Sequence, residues 1–320
     1  MSASLPVPVA IQLRDSCANA VGNAQVVTTF SNGDPPLVLS PVDTVNGIYA
    51  GTWTPRNTSS QVTLLTTASP PGYTTGTTQT PGQVAPDTAP VLVPNGTLGV
   101  FNPQVGAGLV PGNIVQIYGS GLAGSATAPA VLPLSSTVNG TSVTIGGLSA
   151  PLYYVSPGQI NAQIPFELTA GGQYQVVVNA NGAVATPQTI QLTQADPAIL
   201  QFNSGAVVAQ HHDGTLIQDS SPAVQGEFVT IYLSGMGATN GPVPSGAASP
   251  GSPLANVADT ATLTLNGAQV PVMFQGLTPT LVGLYQIDFQ VPQTLANGNY
   301  TLSIAQSGTA SNNTVLPVKN

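Results

Sequence analysis

The densest group of side chains with acid–base or metal-binding potential is His211-His212-Asp213-Gly214. Two imidazoles beside a carboxylate are the ingredients of a zinc site or a proton relay. Successive residues on a strand point to opposite faces, however, so His211 and His212 cannot easily share one ion. Asp-Gly is a strong turn signal, and the expectation is a plain hairpin joining 206–210 to 215–217. A serine nucleophile needs a base. The two histidines stand side by side, and no Gly-x-Ser-x-Gly elbow is present. Ser120 and Ser234 lie in Gly-Ser-Gly and Leu-Ser-Gly and read as turns that close strands. Glu167 and Glu227 would supply a glycosidase pair, but nothing pairs them in sequence. Calcium binding through Asp15, Asp34, Asp43 or Asp259 lacks a dense Asp-x-Asp-x-Asp-Gly string. No catalytic residue, no metal site and no cofactor is therefore expected, and the chain reads as a non-enzyme.

Two other groups are better suited to contact than to chemistry. Tyr153 and Tyr154 form a candidate surface aromatic contact for a sugar, although on an extended strand at most one of them faces outward. Trp53 alternates with Gly51 and Tyr49 on one strand face, the pattern of a core residue. Near the start, Leu5, Val7, Val9, Ile11 and Leu13 make one apolar face, with Pro6, Pro8, Ala10, Gln12 and Arg14 between them. Pro6 and Pro8 cannot donate to a ladder, which places this strand at an edge. It is either the first strand of the first domain or a strand added to a neighbouring subunit, which would make the five residues an assembly site.

The elements that position these residues follow from composition. The chain has 320 residues, with 3 Lys+Arg against 11 Asp+Glu, and 4% charged residues. An ordinary soluble domain carries about 25%. Nucleic-acid binding needs clustered cations, and only Arg14, Arg56 and Lys319 exist. Disorder driven by charge is excluded by the low charge and by 42% hydrophobic residues. No run of 18 apolar residues is present to span a membrane, and residues 1–20 show no signal-peptide pattern. Ser, Thr, Asn, Gln and Gly take the surface positions that Lys and Glu usually fill, a surface that reads as extracellular. Cys17 has no partner for an intrachain disulfide and reads as a small buried thiol. With so few carboxyls, stability is expected to vary little with pH.

Alternating apolar residues between Gly, Pro, Asn and Asp clusters recur from end to end, and no helical spacing survives the prolines. The fold class is all-β, with three tandem β-sandwiches of immunoglobulin type at 1–88, 91–195 and 196–320. A Thr/Pro/Gly-rich stretch over 69–90 reads as the first connection. The last two sandwiches are an internal repeat. Val110-Pro-Gly-Asn-Ile-Val-Gln-Ile-Tyr-Gly-Ser-Gly-Leu122 matches Val224-Gln-Gly-Glu-Phe-Val-Thr-Ile-Tyr-Leu-Ser-Gly-Met236. Gln159-Ile-Asn-Ala-Gln-Ile-Pro165 matches Gln286-Ile-Asp-Phe-Gln-Val-Pro292.

These residues also carry a family resemblance. Residues from about 95 to 318 resemble the Solibacter-type C-terminal domain family of secreted acidobacterial proteins. The resemblance rests on Val110-Pro-Gly, Ile117-Tyr-Gly-Ser-Gly-Leu122 and Pro151-Leu-Tyr-Tyr-Val-Ser-Pro-Gly-Gln-Ile-Asn-Ala-Gln-Ile-Pro165. It implies an extracytoplasmic pair of Ig-like sandwiches and no activity. The N-terminal part resembles a bacterial Ig-like domain through Asn46-Gly-Ile-Tyr-Ala-Gly-Thr-Trp-Thr-Pro55. The expected function is an extracellular structural protein, a self-assembling subunit of a surface filament, appendage or matrix whose partner is itself. The alternative is a carbohydrate- or cell-wall-binding module, with glycans as partners. Neither reading involves nucleic acid.

Overall fold

The computed structural model describes residues 1, 3–86 and 89–320. None of the described residues is helical, and no helix long and apolar enough to cross a membrane is found among them. The chain divides into two compact units, Met1–Thr88 and Ala89–Asn320.

The first unit is built from β1 (Val7–Gln12), β2 (Gln25–Phe30), β3 (Leu37–Asp43), β4 (Ile48–Trp53), β5 (Ser59–Ser69) and β6 (Gly76–Val84). They pair in the order β1-β4-β3-β2-β5-β6. β3 serves two ladders. Leu37–Leu39 pair with β2, and beyond them Ser40 and Pro41 pair with β4. The strand bends between the two layers, and the apolar side chains of both meet inside. Trp53 and Phe30 stack there, with ring centroids 4.1 Å apart. Asp34, only 5% exposed, lies beside them. It accepts from the indole Nε1 of Trp53 at 3.0 Å, from Asn32 Nδ2 at 3.0 Å and from the backbone N–H groups of Arg56 and Asn57. Burial opposes its ionisation, but these donors together hold the carboxyl below its ordinary value.

The first repeat of the second unit contains β7 (Val91–Gly99), β8 (Ile114–Ser120), β9 (Thr137–Val138), β10 (Thr141–Ile145), β11 (Leu148–Ser149), β12 (Leu152–Val155), β13 (Gln159–Gln163), β14 (Gln173–Ala180), β15 (Ala183–Val184) and β16 (Gln188–Gln191). One sheet runs β12-β13-β8-β7. The other runs β11-β10-β14-β15, with β9 on β10 and β16 on β14. The second repeat contains β17 (Ala198–Ile199), β18 (Ala209–Gln210), β19 (Ala223–Val224), β20 (Phe228–Ser234), β21 (Thr262–Leu265), β22 (Ala268–Val270), β23 (Val272–Leu277), β24 (Tyr285–Gln290), β25 (Gly298–Gln306), β26 (Thr309–Ala310) and β27 (Thr314–Lys319). Its sheets run β17-β20-β24-β23, with β18 on β20, and β19-β27-β25-β21-β22, with β26 on β25.

The two repeats share order and register. Gln159, Asn161 and Gln163 stand opposite Tyr118, Gln116 and Ile114. Gln286, Asp288 and Gln290 stand opposite Tyr232, Thr230 and Phe228. Each repeat places a bulge at the same point, so that Tyr153 and Met273 are the extra residues. Alternate residues of each strand fill one core. Val115, Ile117, Ile160 and Ala162 do so in the first repeat, and Val229, Ile231, Ile287 and Phe289 in the second.

Candidate functional site

The N-terminal apolar strand is β1, paired antiparallel with β4 in register from Val7 opposite Trp53 to Gln12 opposite Ile48. It is an edge strand of its own sheet. Val7, Val9 and Ile11 are half-buried while Pro8, Ala10 and Gln12 face out. Val9 packs on both apolar clusters of the first unit. Leu5, by contrast, is 54% exposed. Cys17 is exposed rather than buried. Its segment is a short loop closed on Asp15, which accepts from the N–H groups of Cys17 and Asn19, and so presents no side chain to the core.

The histidine pair separates as alternation demands. His212 is exposed, while His211 turns inward. His211 Nδ1 lies 2.9 Å from Glu227 Oε1, and Nε2 lies 3.2 Å from Ser221 Oγ. Serine, imidazole and carboxylate in that order are the parts of a nucleophilic triad. The surroundings do not complete one. The Ser221 N–H is already given to the carbonyl of Gln218, and Pro222 has no N–H, so neither offers an oxyanion donor. Nε2 also lies 3.1 Å from the Ser221 carbonyl. With its Nδ1 proton on the Glu227 carboxylate, the neutral ring accepts the Ser221 hydroxyl at Nε2; the doubly protonated ring donates from Nε2 to the Ser221 carbonyl instead. The cluster is a clasp that ties Ser221, at the end of the 218–221 turn, through His211 to Glu227, the residue before β20. Ser221 and Glu227 stand 10 and 16 residues from His211, and no motif spacing links them. Among the described residues, no group of three His, Cys, Asp or Glu could hold a metal.

The remaining carboxylates are dispersed. Asp43 caps Val45 and Asn46, Asp259 accepts from Ser307, and Glu167 is held by Ser245.

Glu167 belongs to the most developed polar arrangement in the second unit, the joint between the two repeats. Ser245 Oγ donates to Glu167 Oε2 at 2.6 Å and accepts from the N–H of Phe166 at 2.8 Å. The N–H of Gly246 donates to Gln163 Oε1 at 2.7 Å, and its carbonyl accepts from Leu134 at 2.8 Å. The Tyr153 hydroxyl donates to the carbonyl of Val282. Burial raises the Tyr153 hydroxyl to about 12, so it stays a donor at every physiological pH. Gly283 needs its positive φ of 63°, and a Cβ there would meet Gln163 Nε2 and the Gly112 carbonyl at 2.9 Å. The Phe166 ring covers Gly112 and packs on the core of the second repeat. Val110 and Gln163 are both 0% exposed.

The same positions of the second repeat are exposed among the described residues. Val224, the counterpart of Val110, is 46% exposed; Phe228, the counterpart of Ile114, 45%; and Met273, the counterpart of Tyr153, 64%. Gln290, the counterpart of Gln163, is exposed too. An open apolar end therefore stands where the first repeat has a joint. Tyr153 and Tyr154 part company in consequence. Tyr153 serves the joint, and Tyr154 lies opposite Asn161 on the outer face of its sheet.

The IPT/TIG domain model matches residues 100–193, which lie within the first repeat. No curated protein matches the chain. Among solved structures, SGBP-B of the Bacteroides ovatus mixed-linkage glucan utilization locus, in complex with a mixed-linkage heptasaccharide, is 14% identical with a TM-score of 0.30. The alignment covers 99% of this chain and 65% of that one, so this chain spans less than two thirds of the glucan-locus protein. The Escherichia coli adhesin FdeC is 13% identical with a TM-score of 0.24, covering 100% of this chain and 94% of that one. The I9–I11 tandem of titin is 9% identical with a TM-score of 0.21, covering 99% and 94%.

Proposed function

We propose that this chain is a non-enzymatic extracellular structural protein that self-associates through the open end of its second repeat. The observation that carries the reading is the contrast between Val110, Ile114, Tyr153 and Gln163, which lie at a joint, and Val224, Phe228, Met273 and Gln290, which lie open. The extracellular setting rests on the uncharged polar surface and on the resemblance to the Solibacter-type family of secreted proteins.

The occupant is a second copy of the chain. The loops that fill the joint, around Gly246 and Gly283, are already engaged by the chain's own first repeat. The open end then meets its own copy about a two-fold axis, a self-complementary contact. Burying Phe228 and Met273 from both partners contributes roughly 1.5–3 kcal/mol per side chain. That is comparable with the association cost of about 4–15 kcal/mol, so the dimer forms only at high local concentration. A filament needs a second contact. The face Leu5, Val7, Val9, Ile11 and Leu13 supplies one if β1 is exchanged, but its ladder with β4 must break first.

Sedimentation velocity over a range of concentrations tests this. The wild-type chain should show a concentration-dependent dimer, and Phe228→Asp with Met273→Glu should sediment as a monomer with unchanged circular dichroism. A wild type that stays monomeric up to the solubility limit overturns the reading.

A further inference from the structure

A second observation stands apart from the open end. On the outer face of β8, β13 and β12, Gln159 Nε2 donates to Asn161 Oδ1 at 2.7 Å, with Tyr118 opposite Gln159 and Tyr154 opposite Asn161. On the outer face of β20, β24 and β23, Gln286 Nε2 donates to Asp288 at 3.1 Å, with Tyr232 opposite Gln286 and Phe274 opposite Asp288. Both faces thus repeat one arrangement: two aromatic rings flanking a glutamine that orients an Asn or Asp two residues on. Core packing does not require it, because these side chains point away from the core and all are half-buried. In the first repeat the joint engages the other end of this face; in the second it lies at the same end, where Val282 and Gly283 precede β24, yet Tyr232, Gln286 and Asp288 bond within their own repeat.

The geometry points to two copies of one binding site for a neutral polysaccharide. Aromatic rings offer apolar faces to the C–H side of a pyranose, and amides fix its hydroxyls. The Phe274 ring tip lies over Gly276, where a Cβ would meet it at 2.8 Å, so the ring leans along its strand. Groups for hydroxyl recognition are to hand: the Gln116 amide N–H₂, the Asn161 Nδ2 and the Tyr154 hydroxyl donate to no partner among the described residues. The row Leu98, Gln116, Asn161, Tyr154 crosses four strands, roughly 14 Å, which suits a chain ligand rather than a small molecule.

Charge selects against ionic polymers. The carboxylate on these faces, Asp288, is already held by Thr230 and Gln286. A polyanion finds no cation there, since Arg14, Arg56 and Lys319 are the basic residues of the chain. Two equivalent sites in one unit also gain by simultaneous engagement of a long chain.

Affinity electrophoresis of the full-length protein in gels containing a soluble β-glucan, a xylan or a galactomannan tests the proposal, with pull-down on cellulose and chitin. Polygalacturonate and chitosan serve as charged controls. At least one neutral polymer should retard the protein. Tyr118→Ala or Tyr232→Ala alone should weaken binding by about tenfold, and the double variant should abolish it with an unchanged thermal midpoint. If the double variant unfolds, Gln159→Ala with Gln286→Ala tests the same faces. Retention only by a charged polymer, no retention by any polymer, or full binding by both double variants overturns the proposal. None of these residues is in the Phe228 and Met273 patch, so dimerisation and polysaccharide binding fail independently.

Discussion

The two repeats of the second unit carry one fold and two fates. Their strands, registers and bulges coincide, yet Val110 is fully covered and Val224 is 46% exposed. Phe166 in the first repeat is answered by Gln293 in the second, and Gly112 by Gly226. Both glycines adopt left-handed backbone, at φ 88° and 79°. A Cβ on Gly112 would lie 2.0 Å from the Phe166 ring, whereas one on Gly226 would meet only the flexible Gln293 side chain at 3.4 Å. Position in the repeat sets the backbone. The neighbouring domain sets what each position must hold.

The sharpest way to break this comparison is to substitute both glycines. Gly112→Ala adds a ring clash to backbone strain and should cost more than about 4 kcal/mol in urea denaturation. Gly226→Ala should cost about 1–2 kcal/mol, the strain alone. Equal losses would show that the joint adds nothing at this position.

Exchanging the plugging residue comes next. Phe166→Gln removes a ring from the second repeat's core and should cost about 2–3 kcal/mol. Gln293→Phe, made at the open end, should change the unfolding midpoint little.

Ser245→Ala is expected to cost about 1–2 kcal/mol through the lost contacts to Glu167 and Phe166. It also has a pH signature. Burial opposes ionisation of Glu167, but donation from Ser245 and backbone N–H groups outweighs it and lowers its pKa. The associated stability is present above the ordinary glutamate value and is lost as pH falls through the lowered one. Denaturation midpoints between pH 6 and pH 3 should therefore fall more steeply for wild type than for Ser245→Ala.

The smallest effect is expected at Asp196, where the chain passes from one repeat to the other. Burial raises its carboxyl, against a hydrogen bond from the Gly108 backbone. Its favourable state is the protonated one, present below the ordinary aspartate value and lost as pH rises. Asp196→Asn keeps an acceptor for Gly108 and should stabilise by less than about 0.5 kcal/mol at pH 7, with no gain at pH 3. A gain of equal size at both pH values would remove ionisation as its cause.

Much of the fold was readable because β-structure writes itself locally. The Gln159–Pro165 and Gln286–Pro292 strings alternate inward and outward residues, and the structure sets them in equivalent registers. Asp213-Gly214 makes its turn through Asp213, which accepts from the Thr215 N–H at 2.9 Å. The site was less readable because its partners are distant in the chain. Gln163 meets Gly246, and Tyr153 meets Val282, across 83 and 129 residues. No local pattern distinguishes a covered Val110 from an exposed Val224. Cys17 departs from the burial its type favours for a related reason: Asp15 folds its segment into a surface loop.

The Asp34 pocket has a spectroscopic consequence. Trp53 is the chain's single tryptophan, and it lies in the first unit, stacked on Phe30 with its indole N–H on a carboxylate. Seven of the nine tyrosines, from Tyr118 to Tyr300, lie in the second unit. Indole emission thus reports the first unit alone, while phenol absorbance is dominated by the second. A single sample carries its own pair of optical labels, and the order in which the two units melt can be recorded without attaching a dye.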